Sequence, residues 1–156
     1  MRRIGSVLVL LVSLWNVPGA GAGEGAAETS KTPQLDAAKY PQDTPQKALG
    51  SLVKALEARD LSYWIAHLIT PADTKRLIEK HGGLEGAVRK NSDEKHAARL
   101  QDQLALMKQM LAGNAPTEGQ ENGVQWARFR VEQRVLQFEK QPDGRWCMNA
   151  RVTSEK

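Results

Sequence analysis

The sequence predicts an α+β domain in which N-terminal helices pack on one face of a small C-terminal three-stranded antiparallel sheet. Three observations predict it. Apolar residues recur at helical spacing between Ala48 and Leu111, the period switches to two at Ala127, and Gln141-Pro142-Asp143-Gly144 carries the residues of a tight hairpin turn.

The first element is expected to be a targeting segment. Arg2 and Arg3 precede an apolar run from Val7 to Trp15 that only Ser13 interrupts, and Pro18-Gly19-Ala20-Gly21-Ala22 follows. That order reads as a secretory signal peptide over residues 1–22, cut after Ala22. A membrane span needs about 20 apolar residues, and this run stops at Asn16. A lipid anchor needs a cysteine at the cut, and the single cysteine is Cys147. The mature chain is therefore expected to begin at Gly23, to be soluble, and to be periplasmic or secreted. The 22 basic residues less Arg2 and Arg3 leave 20 against 18 acidic, a net charge of +2 rather than +4. Signs are mixed along the chain, so no nucleic-acid or polyanion partner is expected. One cysteine allows no internal disulfide.

Residues 23–43 hold only Leu35 and Tyr40 as sizeable apolar groups and read as a flexible linker. A single domain is expected over residues 44–152, with a tail at 153–156. Thr44 caps and Pro45 opens a helix whose Ala48, Leu49, Leu52, Val53 and Leu56 form one face to about Arg59. Asp60 caps a second helix carrying Leu61, Trp64, Ile65 and Leu68. Thr70-Pro71 repeats the cap-and-proline signal, Asp73 favours the free amides, and Gly82-Gly83 ends this third helix. A short helix follows at Leu84 to Lys90. Ser92 is then expected to cap the longest one, with Ala97, Leu100, Leu104, Met107 and Leu111 as its stripe and Gly113 as its end.

Asn114 to Gly123 reads as a polar loop. In the strand after it, Ala127, Phe129 and Val131 face one way and Arg128 and Arg130 the other. A turn near Glu132 to Arg134 restores the apolar face at Leu136 and Phe138. The final hairpin, turning at Pro142-Asp143-Gly144, sets Phe138 opposite Met148, Leu136 opposite Ala150 and Glu139 opposite Cys147. Cys147 then points away from the helices, beside carboxylate and carboxamide groups that do nothing to ionise a thiol.

No chemistry-bearing signature stands out. His67, His81 and His96 are too scattered for a helix-borne metal pair, so no metal is expected. No GxSxG elbow, GxGxxG or GxxxxGK[ST] occurs, so no catalytic residue and no cofactor are assigned. The candidate binding residues are Trp126, Arg128, Arg130 and Arg151, with Asn149, on the outward sheet face, where arginine beside an aromatic suits recognition. The bland alternative is a solvated face with cross-strand Arg–Glu pairs.

The segment "TPQKALGSLVKALEARDLSYWIAHLITPAD", followed by strands ending in "LQFEKQPDGRWCMN", resembles exported bacterial members of the nuclear transport factor two-like (SnoaL-like, cystatin-like) superfamily. The resemblance covers about Thr44 to Val152 and implies helices folded over a curved sheet. Enzymes of that superfamily place an Asp, Tyr or His in a pocket. Asp60, Tyr63 and His67 occupy comparable helices here, but no local motif matches and none is carried over. The superfamily also sets strands between its helices, whereas Gly83 to Leu111 here reads as helix. Taken together, the expectation is an exported, non-enzymatic binding or interaction module with a protein or small-molecule partner in the cell envelope. The alternatives are a small pocket enzyme of the isomerase or dehydratase type and a helix-mediated assembly protein.

Overall fold

The computed structural model describes residues 32–113, 115–150 and 153–154. The expected signal peptide at 1–22, the first part of the expected linker and Arg151 lie outside the described residues. Among the described residues five helices precede an antiparallel sheet, an α+β arrangement.

Helix α1 runs Pro45–Glu57, with the Thr44 hydroxyl accepting from the Lys47 amide. Helix α2 starts at Leu61–Tyr63 under an Asp60 cap and continues as a π-helical turn, Trp64–Leu68. Helix α3, Pro71–His81, is capped by Thr70 and stops where Gly82 takes a left-handed φ of 71°. A side chain with a Cβ is strained there, so glycine suits the stop. Helix α4 spans Leu84–Ser92 and α5 Glu94–Ala112.

The expected cap of the longest helix moves by one residue. Ser92 belongs to α4, its hydroxyl bonded to the Val88 carbonyl, and Asp93 stands at the junction. The buried stripe of α5 is Leu104, Met107 and Met110, while Leu111 is exposed. The helix is thus rotated slightly from the expected face, and its stripe packs on its own domain.

The sheet holds more than the three expected strands. Strands β1 (Thr117–Glu121), β2 (Val124–Val131), β3 (Arg134–Lys140) and β4 (Trp146–Met148) follow in order, and β5 (Thr153–Ser154) pairs with β3. Strand β1 lies where a polar loop was expected, because Asn122 and Gly123 both adopt positive φ and close a two-residue hairpin. Strand β5 lies in the expected tail. The expected registers Phe138↔Met148 and Glu139↔Cys147 are present, whereas Val135 pairs with Thr153, so the last strand gains two residues against β3 after Met148. Leu136 opposite Ala150 is therefore not a ladder pair; β4 ends first.

Ala127, Phe129, Leu136, Phe138, Trp146 and Met148 join the helices in one core, where Phe129 and Phe138 meet edge to face at 5.6 Å. The stretch expected to be a linker is partly built into the domain. Tyr40 is 1% exposed, and its hydroxyl donates to Asp60 at 2.9 Å. The Trp146 amide donates to the Gln42 carbonyl, and the Thr70 amide to the Met148 carbonyl. Residues around Gln42 and Ile69 thereby cover the edge of β4 that β3 leaves open, which keeps its amides from other chains.

Candidate functional site

The outward face of the sheet assembles the residues that the sequence singles out, and the structure shows what each one does. The Arg128 guanidinium sits 4.2 Å from the centre of the Trp126 ring and its Nε donates to Gln137 at 2.9 Å. Gln137 and Asn149 both donate to Glu139 Oε1, at 3.1 and 2.7 Å. On its other side Trp126 leans over Gly119, its partner on β1, where a Cβ would lie 2.3 Å from the ring. Only glycine fits that approach. Arg130 is exposed on the same strand, and it and Asn149 are also engaged by neighbours. The face is thus a network of groups that already satisfy one another, with carboxamide rather than the expected carboxylate as the partner of Arg128.

Cys147 lies opposite Glu139 on this same face, yet it is not open to solvent. The residue is 1% exposed, with its sulfur 3.6 Å from Gln42 Nε2 and 3.7 Å from the His67 carbonyl oxygen. Burial pushes its thiol up to about 11. The imidazole of His67 is turned elsewhere, its Nε2 against the Pro33 carbonyl and its ring 4.8 Å from Tyr63. No thiolate–imidazole pair forms. The thiol is inert because it is covered by residues near Gln42, and that covering was not legible in the sequence.

Asp60 and Tyr63 are also structural. Burial opposes ionisation of Asp60, but hydrogen bonds from Tyr40 and Lys39 outweigh it and hold the carboxyl below its ordinary range. Tyr63 bonds to the backbone of Asp36. These groups fasten residues 36–42 to α2.

A cleft with a cavity volume of about 260 Å³ opens on the helical side, between α5, α3, the π-helical turn and the end of β4. Small-molecule sites run from about 300 Å³ upward, so this one suits a small ligand. Ile69, Leu77, Leu100, Met107 and Met148 supply its apolar walls. His96, Arg99, Leu100, Gln103 and Met107 lie on one face of α5, at spacings of three, four, seven and eleven from His96. Helix α3 contributes Arg76, held by a 2.7 Å ion pair with Asp73. Asp73 in turn accepts from the Thr70 hydroxyl and the Ala150 amide, both at 2.9 Å. Trp64 comes from the π-helical turn, a local widening that recurs at functional sites.

Two residues of the lining carry polar atoms that stand out. Trp64 is 8% exposed and its indole N–H has no acceptor among the described residues; His96 Nδ1 is likewise buried and unpartnered. Buried polar atoms are nearly always paired, so each such case asks for an explanation. In the sequence Trp64 reads as part of a core stripe, and His96 stands too far from the other histidines for a metal pair. They come from separate elements, the π-helical turn and α5, which no local motif links.

Among the described residues no group of three His, Cys, Asp or Glu is placed to hold a metal ion, and no helix is long and apolar enough to cross a membrane. Comparison with protein-family models, with curated proteins and with solved structures yields no match, so the geometry of the helical cleft is the guide to function.

Proposed function

We propose that this protein is an exported binding module that holds a small molecule in the cleft between α5, α3 and the end of the sheet. One observation carries the reading: a mostly apolar cleft is lined by Trp64, whose deeply buried indole N–H makes no hydrogen bond within the described chain. Leaving such a donor unpaired costs about 1–3 kcal/mol, and a ligand oxygen that displaces the groups covering it would recover it.

Binding is favoured over catalysis by the lining, whose one imidazole is His96 and which holds no carboxylate, thiol or hydroxyl among the described residues. The unpartnered His96 Nδ1 is what speaks for the second reading, a proton-transferring pocket enzyme with His96 as its base. The outward face, with its closed network at Trp126 and Arg128, is better suited to solvent than to capture of a partner.

The neutral fluorophore N-phenyl-1-naphthylamine tests the first reading. Its emission should rise saturably with the native protein, and Leu100→Trp, which fills the cleft, should abolish the rise. Gln103→Trp on the same helix face serves as a second plug. An unchanged signal in plugged variants that keep their circular dichroism would refute the cleft as the site.

A further inference from the structure

The chemistry of the lining narrows the class of ligand, an inference that rests on the cleft being the binding site. Its charged side chains are Arg76 and Arg99, and no Asp or Glu lines it. Its remaining fixed donor is the Trp64 N–H, which can donate and never accept. Gln103 and Asn91 add amide groups, and Asn91 already gives its Nδ2 to the Ala87 carbonyl at 2.8 Å. Arg99 and the orphaned Trp64 N–H therefore ask for an acceptor, while the buried His96 Nδ1 takes either role according to its tautomer.

The count of charges sets the charge of the ligand. Arg76 is neutralised by Asp73, itself buried and held by Thr70 and Ala150. Arg99 has no carboxylate partner among the described residues. One solvent-facing guanidinium without a carboxylate partner, beside an apolar wall, matches one negative charge on an apolar body. A cation would meet Arg99 without compensation and would leave the Trp64 donor unpaired.

We propose that the cleft takes a small amphipathic monoanion, a carboxylate on a short apolar tail, with its charged end met by Arg99 and the Trp64 N–H and its tail laid on Leu100, Met107 and Met148.

Octanoate, octanol and octylammonium have similar tails and differ in the charge of the head. Titration calorimetry of the whole protein with each should show octanoate binding about ten- to a hundredfold more tightly than octanol, the span expected for hydrogen bonds to a charged group. Octylammonium should be the weakest. Arg99→Gln lies at an exposed site, so the fold should persist; it should bring octanoate down to near the level of octanol and weaken octanol by much less. Equal affinities for octanoate and octanol, or an octanoate preference that survives Arg99→Gln, would overturn the anion inference while the cleft remains the site. Binding of all three that Leu100→Trp and Gln103→Trp leave intact would place the ligand elsewhere and sink both, as would the absence of binding by any of the three.

Discussion

At Cys147 a single side chain couples the fold to pH. Burial raises its thiol to about 11 from an ordinary 9.0, so between those values the folded protein keeps a proton that the unfolded chain has lost. That contribution is complete below pH 9 and disappears as the pH rises through the folded value. Its size is on the order of 2 kcal/mol. Native protein should be unreactive toward Ellman's reagent at about pH 8 and should react fully once unfolded in urea. Cys147→Ser should flatten the alkaline fall in stability between about pH 9 and 11, although Tyr40 and Tyr63, which burial also raises, retain a share of it. Rapid labelling of the native thiol would contradict the covered position. The face of Cys147 was readable from hairpin register, since Pro142-Asp143-Gly144 fixes Glu139 opposite it. Its burial was not readable, because the groups that cover it come from Gln42 and His67, 105 and 80 residues away in the chain.

Among the elements, those announced by local chemistry were legible and those defined by tertiary pairing were not. Thr44-Pro45 and Thr70-Pro71 each place a hydroxyl cap before a proline with fixed φ, so both helix starts follow from neighbouring residues. Strand β1 has the sequence TEGQE, with no apolar alternation, and is exposed over most of its length. Only the Asn122-Gly123 pair signals it, and that signal is the one to weigh more heavily in a polar stretch. The segment around Tyr40 is a different case. Its attachment depends on one aromatic ring and on backbone hydrogen bonds to β4, neither of which leaves a periodic pattern. Tyr40→Ala should cost about 3–5 kcal/mol, as for other buried aromatic rings, and Tyr40→Phe about 1 kcal/mol through the lost bond to Asp60. Urea unfolding midpoints distinguish the two. A Tyr40→Ala variant as stable as the parent would show that residues 36–42 do not belong to the cooperative unit.

For the molecule as a whole, the order of elements decides where a site can form. Helices on one face of the sheet seal its apolar side, and the outward face closes on itself through Arg128, Gln137, Glu139 and Asn149. On the helical side a gap opens between α5, α3 and the end of β4. The α+β class followed from periodicity, but the cleft did not, because Trp64, Arg76, His96 and Met148 belong to four separate elements whose mutual placement no spacing rule encodes. The indole N–H resonances report on this region directly. Trp64 stands in the cleft, while Trp126 lies on the outward face and Trp146 in the core away from it, and Trp64→Phe assigns the first signal. On titration with octanoate the Trp64 indole N–H peak should shift saturably while those of Trp126 and Trp146 hold still. A Trp64 peak that does not move, or a shift confined to Trp126, would contradict the assignment of the cleft as the binding site.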